Sequence, residues 1–434
     1  MSHHAWYDAW LERKRKYATA AELQLAAGRF HALAAGKGLP AIHQTSTFPF
    51  HSVDDGAARF LGVSKSGEKP FARIYTRLGN PTTEHLERVL FQLECQHIID
   101  NALAADERTP TIGVLACASG MAAISSVLMA LVRTGDELIA GNVYGCTDSL
   151  LRTLEARFGV KVHWVDVTKA AEVERCLEAN PRVVAVYLES PDNPTLAISD
   201  LAAVAAAAEA RRVPLVVDNT FASPYLQQPF RLGADIVVHS LTKYVNGHSA
   251  SIAGCALGPF SFMQDHVFPI YKDFGPTPSP FDSWLNALCV QDLGHRMEAS
   301  CRSALEIARF LEAHPRVQRV HYPGLASHPQ HALAARQMRL GGAMISFELR
   351  GGMKPARRLM NFFARKDTPM ELAVSLGSAV SYIEHPASMT HAGVPQADRL
   401  SRGITDELVR LSVGLEGTDI LIDALGWGLQ GGRR

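Results

Sequence analysis

Short apolar runs alternate with longer amphipathic stretches through the middle of this 434-residue chain. A short run of mostly β-branched apolar residues predicts a buried strand, and apolar residues that recur every three or four positions predict a helix. The order of these elements, strand then helix several times over, is typical of an α/β protein with a mostly parallel sheet covered on both faces. The predicted strands are residues 112–118, 137–140, 160–165, 183–188, 214–217 and a last run within 234–240, and the predicted helices are residues 122–131, 147–158, 170–178 and 201–211.

Polar residues follow four of these predicted strands at their carboxyl ends. Each has an ordinary explanation by itself: Glu189 as a helix cap, Asp218 as a turn residue and Lys243 as a surface charge. Because the carboxyl ends of parallel strands meet at one edge of a sheet, several such residues together favour a ligand site. The set is Tyr144, Cys146, Glu189, Asn193, Asp218, Ser240, Thr242 and Lys243.

Two further segments carry weaker signals. Ser119-Gly120-Met121 lies between a predicted strand and a predicted helix, an arrangement that can point backbone N–H groups at a phosphate. Tyr75 and Arg77 alternate on a segment predicted to be extended, just before a turn and the start of a helix. Taken alone, this second segment is equally well explained as a solvated arginine beside a tyrosine.

The carboxyl-terminal third predicts a second, smaller α+β domain. A helical pattern at residues 294–314 precedes strand patterns at 317–322, 343–349 and 408–414, expected to pair antiparallel. Arg410 interrupts the last of these apolar strands. Because a guanidinium is rarely buried without an anionic partner, Arg410 indicates either a structural salt bridge or a site for a ligand carboxylate.

Charge and cysteine usage narrow the classes of function. The formal net charge is zero, with 43 acidic and 43 basic residues, which argues against nucleic acid or a membrane surface as a partner. The 7 cysteines show neither CxxC pairs nor metal-ligand spacing, so we expect no disulfide framework and no metal site. No signal sequence or membrane span is evident, and a cytoplasmic location is expected. Residues 101–111 have the composition of a surface insertion.

The residues at the predicted sheet edge match the needs of pyridoxal 5'-phosphate (PLP). A lysine amine can bond the cofactor aldehyde, and burial would favour its neutral form. A carboxylate can keep the pyridine nitrogen protonated, so that the ring accepts electrons from the substrate. Lys243 and Asp218, 25 positions apart, could fill these two roles.

At this point the motifs are specific enough to show a resemblance to a known family. The chain resembles the Cys/Met-metabolism PLP enzymes, the trans-sulfuration family within the fold-type I aminotransferase superfamily, from about residue 38 to residue 425. The matching segments are Tyr75-x-Arg77-x-x-Asn80-Pro81-Thr82, Ser119-Gly120-Met121, Tyr144-Gly145, Glu189-Ser190-Pro191-x-Asn193-Pro194, Val217-Asp218-Asn219-Thr220, His239-Ser240-x-Thr242-Lys243-Tyr244, His385-Pro386-Ala387-Ser388-Met389-Thr390-His391 and Arg410-Leu411-Ser412-Val413-Gly414-Leu415-Glu416.

The resemblance implies a fold-type I architecture with a mostly parallel seven-stranded sheet. It also implies three parts: an N-terminal arm at residues 1–79 that contacts the neighbouring subunit, a large PLP-binding domain at 80–290 and a C-terminal α+β domain at 291–434. The family usually forms a homotetramer of two dimers whose active sites are shared between subunits.

The resemblance also implies roles for individual residues. Lys243 would form the Schiff base and move protons, Asp218 would contact the pyridine nitrogen, and Tyr144 would stack on the cofactor ring. Arg410 and Ser375 would hold the substrate's α-carboxylate. The remaining implied contacts are Gly120, Met121, Ser240 and Thr242 with the phosphate, Tyr75 and Arg77 with the phosphate of the neighbouring subunit's cofactor, and Glu189 and Asn193 with the cofactor pocket.

Within the family, the chain resembles the methionine γ-lyases most. Cys146 lies beside Tyr144, Lys272-Asp273 repeats a pair found in those enzymes, and Val380 stands where relatives that act on cystathionine carry glutamate. The expected reaction is γ-elimination of L-methionine, or of a related sulfur amino acid, to a thiol, 2-oxobutanoate and ammonia. Three alternatives stay open: γ-replacement on an O-acylhomoserine, cystathionine cleavage, and a non-catalytic protein of the same fold. Cys146 is as consistent with packing as with contact to the substrate.

Overall fold

The computed structural model describes residues 6, 7, 10, 11, 41–61, 73–104 and 112–431. Most of the predicted N-terminal arm and residues 105–111 of the predicted insertion lie outside these ranges. Residues 101–104, which the sequence assigned to the insertion, form the end of a long helix instead.

The larger sheet of the described chain has seven strands, in the spatial order β1-β7-β6-β5-β4-β2-β3. β6, β5, β4, β2 and β3 are mutually parallel, whereas β7 pairs antiparallel with both β1 and β6. This confirms the predicted α/β class and the mostly parallel seven-stranded sheet. The strands are β1 (Ile112–Cys117), β2 (Glu137–Ala140), β3 (Lys161–Trp164), β4 (Val183–Glu189), β5 (Leu215–Asp218), β6 (Ile236–Ser240) and β7 (Gly254–Pro259).

Helices cover both faces of this sheet. Leu128 and Leu151 belong to the apolar core on one face, and Leu90 and Leu201 belong to the core on the other face. The helices of this part are α1 (Val53–Phe60), α2 (Pro81–Ala104), α3 (Gly120–Leu131), α4 (Gly145–Phe158), α5 (Ala170–Ala179), α6 (Leu201–Ala210), α7 (Ser223–Leu226), α8 (Phe260–Phe262), α9 (Phe268–Phe274) and α10 (Pro280–Cys289), with a π-helical turn at Met263–Val267 between α8 and α9.

A second sheet of five strands follows in the described chain, in the order β10-β11-β12-β9-β8. Its pairs are antiparallel, as predicted, except that β10 runs parallel to β11. Ile345 and Phe347 of this sheet belong to a separate core with Ile307, Leu359 and Leu421. The elements are α11 (Leu293–Ala313), β8 (Val317–His321), α12 (His331–Gln337), β9 (Met344–Leu349), α13 (Met353–Phe363), β10 (Glu371–Leu372), β11 (Tyr382–Glu384), α14 (Gln396–Ser401), β12 (Leu408–Ser412) and α15 (Thr418–Leu429).

The described part of the N-terminal segment packs on the chain's own core. Trp10 Nε1 donates to Asp235 Oδ1 at 2.6 Å, and the Tyr7 hydroxyl donates to Asp235 Oδ2 at 3.1 Å. Both aromatic side chains are buried. The contact of the arm with a neighbouring subunit therefore stays a prediction. Among the described residues, no helix combines the length and the apolar character needed to cross a bilayer.

Candidate active site

The strand order places the four polar strand ends next to one another. β2, β4, β5 and β6 are consecutive in the sheet and parallel, so the segments that follow them emerge at the same edge. Asp218, for example, pairs in register with Val238 of β6 and with Glu189 of β4. The edge predicted from the sequence thus forms a continuous row of polar groups.

Lys243 lies in the turn that follows β6. Its Nζ donates a hydrogen bond to Ser375 Oγ at 2.6 Å, which joins this turn to a loop that precedes β11. Burial lowers the pKa of Lys243 to about 8, the Arg410 guanidinium adds to this effect, and Glu384 acts in the opposite direction. About a tenth of this amine is therefore neutral at pH 7, far more than for an ordinary lysine, and only the neutral form is nucleophilic.

Two carboxylates, Glu189 and Asp218, lie side by side on adjacent strands. Burial raises the pKa of Glu189 well above its ordinary value, and the charge of Asp218 adds to the increase. Burial also raises the pKa of Asp218, although Thr220 N–H donates to its Oδ1 at 2.9 Å. Glu189 accepts the N–H of Tyr144 at 2.9 Å. Glu189 thus favours its protonated form, and a cation placed against Asp218 would stabilise Asp218 as a carboxylate.

The first turn of α3 lies against the end of β6. A Cβ atom on Gly120 would lie 2.7 Å from the Cβ of Ser240, and one on Gly254 would lie 2.2 Å from the carbonyl oxygen of Ser119. Neither position has room for a side chain. Ser119 caps the helix by accepting Ala122 N–H at 3.0 Å, so the N–H groups of Gly120 and the next residue are the ones left to face a ligand.

The two hydroxyls predicted to bind phosphate differ in their present contacts. Ser240 lies beside Gly120, and its N–H donates to Thr220 Oγ1 at 2.8 Å. Thr242 Oγ1 donates to the carbonyl oxygen of Ala253 at 3.2 Å and accepts Ala253 N–H at 3.1 Å. Thr242 therefore ties the lysine turn to the segment before β7, and its contact with phosphate stays a prediction.

Arg410 is buried and has several partners in the described chain. Its Nη1 lies 2.9 Å from Glu384 Oε1 and donates to Asn193 Oδ1 at 3.0 Å. Its Nη2 donates to the carbonyl oxygen of Ser375 at 2.9 Å. The salt bridge that the sequence left as one explanation of Arg410 is thus present. Because Ser375 also accepts from Lys243, a single residue connects the lysine to the arginine.

Ser375 adopts a backbone conformation that is rare for a residue with a side chain. Its φ is +87°, in the left-handed region. Such a conformation costs about 1–3 kcal/mol and persists where the surroundings hold it. Here Lys243 binds the side chain and Arg410 binds the carbonyl group. The strained residue thus lies where the two predicted active groups meet.

Tyr144 and Cys146 lie at the exposed rim of the site. Tyr144 begins α4 and is 39% exposed. Burial of its hydroxyl end raises the pKa of Tyr144 to about 12, and a hydrogen bond with the Cys146 thiol contributes. Cys146 and Val380 are both exposed. The tyrosine is therefore a phenol at neutral pH and can act as a proton donor.

Tyr75 and Arg77 are both exposed. Tyr75 forms an isolated antiparallel β-bridge with Thr47, as an extended residue does, whereas Arg77 lies in the turn that follows rather than on the extended segment expected from the sequence. The turn forms because the Tyr75 carbonyl accepts the N–H groups of Leu78 and of the next residue. Arg77 lies over the Tyr75 ring at 5.6 Å and donates to the carbonyl oxygen of Lys272. In the described chain, neither Tyr75 nor Arg77 forms a hydrogen bond with Lys243 or with the residue that Lys243 contacts, Ser375. Lys272 and Asp273 form an exposed ion pair at 3.4 Å.

Two residues of this region had no predicted role. Glu384 is buried against Arg410, and the only signal in the sequence was that a buried arginine needs an anion. Arg296 is also buried, and its guanidinium donates to the carbonyl oxygens of Tyr244 at 2.6 Å and Cys289 at 3.0 Å. Arg296 thus holds the lysine turn from the side of α11, which no local sequence pattern indicated.

The residues of this edge fit PLP. Gly120 and Gly254 let the α3 N-terminus pack closely against β6 and β7, and the N–H groups of Gly120 and Met121 have no acceptor within the helix, as phosphate binding needs. Lys243 has a lowered pKa, and Asp218 is a half-buried carboxylate that a pyridinium N–H would stabilise. Phosphate, aldehyde and ring nitrogen each have a matching group on the same edge.

Comparisons with known proteins agree with this arrangement. The family model for the Cys/Met metabolism PLP-dependent enzymes matches residues 23–430. An L-methionine gamma-lyase of Fusobacterium nucleatum subsp. polymorphum is 43% identical over 392 residues, covering 90% of this chain and 92% of that protein. An O-succinylhomoserine sulfhydrylase of Pseudomonas aeruginosa is 37% identical over 382 residues, covering 88% of each chain. The crystal structure of cystathionine gamma synthase from Xanthomonas oryzae pv. oryzae, in complex with aminoacrylate and cysteine, superimposes with a TM-score of 0.81 at 34% identity, covering 94% of this chain and 98% of that chain. The chain therefore belongs to the family of Cys/Met metabolism PLP-dependent enzymes.

Proposed function

We propose that the protein is a γ-lyase that converts L-methionine, or a related sulfur amino acid, to a thiol, 2-oxobutanoate and ammonia. The observation that carries this proposal is the link from Lys243 through Ser375 to Arg410, which places a reactive amine beside a group that can bind an α-carboxylate. The similarity to an L-methionine gamma-lyase along 90% of the chain supports this choice among the reactions of the family.

PLP, when bound, supplies a protonated pyridine ring that draws electrons from the substrate's Cα. The protein's part is to hold and move protons around that centre. Lys243 Nζ, with its pKa lowered to about 8, is neutral often enough near pH 7 to accept a proton from Cα and then from Cβ. The Tyr144 hydroxyl, with its pKa raised to about 12, holds a proton that it can give to the departing sulfur.

We expect the protein to select its substrate by contacts with both ends of the amino acid, the α-carboxylate and the sulfur-bearing side chain. Arg410 would bind the α-carboxylate by charge-assisted hydrogen bonds. At the other end, the exposed side chain of Val380 and the thiol of Cys146 offer an apolar rim. An uncharged methylthio group suits such a rim, whereas the distal ammonium of cystathionine would lose hydration there without gaining an anionic partner.

A second candidate is γ-replacement, in which an O-acylhomoserine is joined to sulfide or to a thiol. The O-succinylhomoserine sulfhydrylase at 37% identity favours keeping this candidate. Lys243, Tyr144 and Arg410 would serve both reactions, because these differ only in what reacts after the γ-substituent has left. Cystathionine cleavage is a third candidate reaction, and the same three residues would serve it.

The test is a product analysis on the purified holoenzyme. With millimolar L-methionine we expect 2-oxobutanoate and a volatile thiol in equal amounts. With O-succinyl- or O-acetylhomoserine plus a thiol, we expect keto acid to form faster than thioether. The absence of keto acid from methionine would contradict the lyase assignment, and faster thioether formation would favour the replacement reaction.

For the assembly, we propose a homotetramer built from two dimers with shared active sites, in the cytoplasm. The proposal that each active site is shared between two subunits is supported by Tyr75 and Arg77. These residues are exposed on this chain, and Arg77 contacts Lys272 rather than Lys243. All seven cysteines are free thiols, which suits a reducing compartment. The division into an arm at residues 1–79 and domains at 80–290 and 291–434 stays part of this proposal.

A further inference from the structure

The guanidinium that is expected to receive the substrate carboxylate already faces a carboxylate of the chain. Arg410 on β12 and Glu384 on β11 are direct cross-strand partners, and their side chains form an ion pair at 2.9 Å. Both are buried, with 3% of Arg410 and 1% of Glu384 exposed. This pair therefore lies inside the substrate-binding region rather than at its surface.

Glu384 uses one of its two carboxylate oxygens. Oε1 lies against Arg410 and accepts from the Thr390 hydroxyl at 3.2 Å, whereas Oε2 is buried with no hydrogen-bond partner in the described chain. A buried acceptor without a partner costs about 1–3 kcal/mol, and more when it is charged. The free oxygen is thus the natural place for a proton.

The charges around Glu384 come from several elements. Arg410 on β12 and Lys243 in the turn after β6 favour its ionised form. Tyr144 at the start of α4 interacts electrostatically with Glu384. The Thr390 hydroxyl, which contacts Glu384, also lies 3.1 Å from His391 Nδ1. Burial of His391, with Arg410 adding to it, lowers its pKa to about 4, so it is neutral near pH 7. Burial dominates at Glu384 itself and raises its pKa.

A second carboxylate bound to Arg410 would shift Glu384 further towards its protonated form. Two carboxylates that share one buried cation cannot both stay ionised without a large electrostatic cost, and such pairs commonly take up one proton. Lys243 offers little compensation, because its own charge is disfavoured by burial. Of the two carboxylates, Glu384 is the one with a free, buried oxygen.

We propose that Glu384 takes up a proton from solvent on Oε2 when a ligand carboxylate binds Arg410, so that Glu384 couples substrate affinity to pH. The proposal rests on the proposed function in one respect, the role of Arg410 as the carboxylate site. The step moves one proton from solvent to one oxygen, and neither bond cleavage between heavy atoms nor oxidation is involved. Glu384 is thus a positioning residue that acts through Arg410.

The experiment is calorimetric binding of 4-(methylsulfanyl)butanoate to the holoenzyme. This ligand is methionine without its amino group, so it presents a carboxylate to Arg410 and leaves the bond between Lys243 and the cofactor intact. Titration in buffers with different ionisation enthalpies gives the number of protons taken up. We expect proton uptake on binding, of at most one proton per ligand, and an affinity that falls, by up to about tenfold per pH unit, as the pH rises above the raised pKa of Glu384 in the free enzyme.

Glu384→Gln keeps the shape and the acceptor for Arg410 but cannot be protonated. We expect this variant to bind the same ligand with little proton uptake, with a nearly flat pH dependence and with higher affinity than the wild type at the alkaline end. Glu348→Gln is the matched control, because Glu348 on β9 forms its ion pair with His321, at 3.0 Å, rather than with Arg410. It should keep the proton uptake of the wild type.

The outcomes separate the two proposals. Binding to the wild type without proton uptake would overturn the role of Glu384, even if methionine is cleaved. No binding at all would overturn the assignment of Arg410 as the carboxylate site, and the role of Glu384 with it. If Glu384→Gln fails to fold, the wild-type protein still provides a test, because ligand binding without proton uptake overturns the proposal.

Discussion

At the scale of single residues, Lys243 is an amine whose positive charge the fold already disfavours. Its pKa of about 8 follows mainly from burial and secondarily from the Arg410 guanidinium. The folded protein therefore keeps about a tenth of the amine neutral and nucleophilic at pH 7 without a separate base to remove its proton. This property can be measured before any substrate is added.

Removal of PLP followed by its return should reveal this pKa directly. The rate at which the apoenzyme recovers its cofactor absorption band should rise with pH, reach half of its plateau at about pH 8 and then level off, because only the neutral amine attacks the aldehyde. An amine with the ordinary pKa of about 10.5 would be only about 0.3% neutral at that pH. Stopped-flow absorbance across a pH series is the measurement. A rate that still rises steeply at pH 10 would contradict the lowered pKa.

The residue types at the sheet edge were foreseeable, but their mutual contacts were not. The chain pattern indicated Lys243 and Asp218 because both follow buried strands. It could not indicate Glu384, because β11 has only three residues and shows no measurable alternation. The pairing of Glu384 with Arg410 depends on the register between two strands that are 24 or more positions apart in the chain, information that no local pattern contains.

At the scale of elements, β7 shapes the phosphate side of the site, although no pattern of residues along the chain predicted this strand. Gly254-Cys255-Ala256-Leu257-Gly258-Pro259 contains no β-branched residue and carries two glycines and a proline, a composition that argues against a strand. Pairing with β1 and β6 on both sides overrides that weak local preference. The small residues serve close packing, since Gly254 lies against the backbone of Ser119.

Gly254→Ala should therefore damage the site through α3. The new Cβ would lie 2.2 Å from the Ser119 carbonyl oxygen, so the first turn of α3 must move. We expect a loss of about 1–3 kcal/mol of stability and PLP binding weakened by about tenfold or more. Gly393→Ala is the control, because a Cβ there meets nothing within 4 Å. Urea unfolding and PLP titration should show the contrast, and equal behaviour of the two variants would refute it.

Arg296 offers a test of how α11 supports the lysine turn. Arg296→Met removes the donor to the carbonyl oxygens of Tyr244, Val245 and Cys289 and leaves them buried. We expect a destabilisation of about 3 kcal/mol or more, together with faster loss of PLP on dialysis. Arg302→Met, an exposed position on the same helix, should change the stability by no more than about 0.5 kcal/mol. A urea unfolding midpoint for Arg296→Met close to that of the wild type would show that other contacts hold the turn.

At the scale of the whole molecule, the candidate site is assembled from two separately packed sheets. Lys243, Asp218 and the α3 N-terminus belong to the first sheet, whereas Arg410 and Glu384 belong to the second. Ser375 and Asn193 make the hydrogen bonds that join the two groups. The α/β class of the first part and the α+β class of the second could be predicted from the spacing of apolar residues. The way the two sheets come together could not, because it depends on packing between segments that are far apart in the chain.

A mixing experiment tests whether the active sites are shared between subunits. Lys243→Ala and Arg77→Ala should each be nearly inactive alone at limiting PLP. When the two variants are unfolded together and refolded, half of the dimers are hybrids, and each hybrid has one site free of both changes. Recovery of about a quarter of the wild-type activity is therefore expected. Activity no greater than the sum of the two separately refolded variants would show that Arg77 serves its own subunit.

The division of the site between two sheets has a consequence for how such a protein can diversify. In the proposed site, the cofactor would be anchored by groups of the first sheet, and the substrate's carboxylate would be recognised by residues on β11 and β12 of the second. A chimera that keeps residues 41–313, and with them Arg296, and receives its remaining residues from a relative with another substrate should still load PLP. Its choice of amino acid should follow the donor of the second sheet, so new specificities can arise here by recombination without rebuilding the anchor.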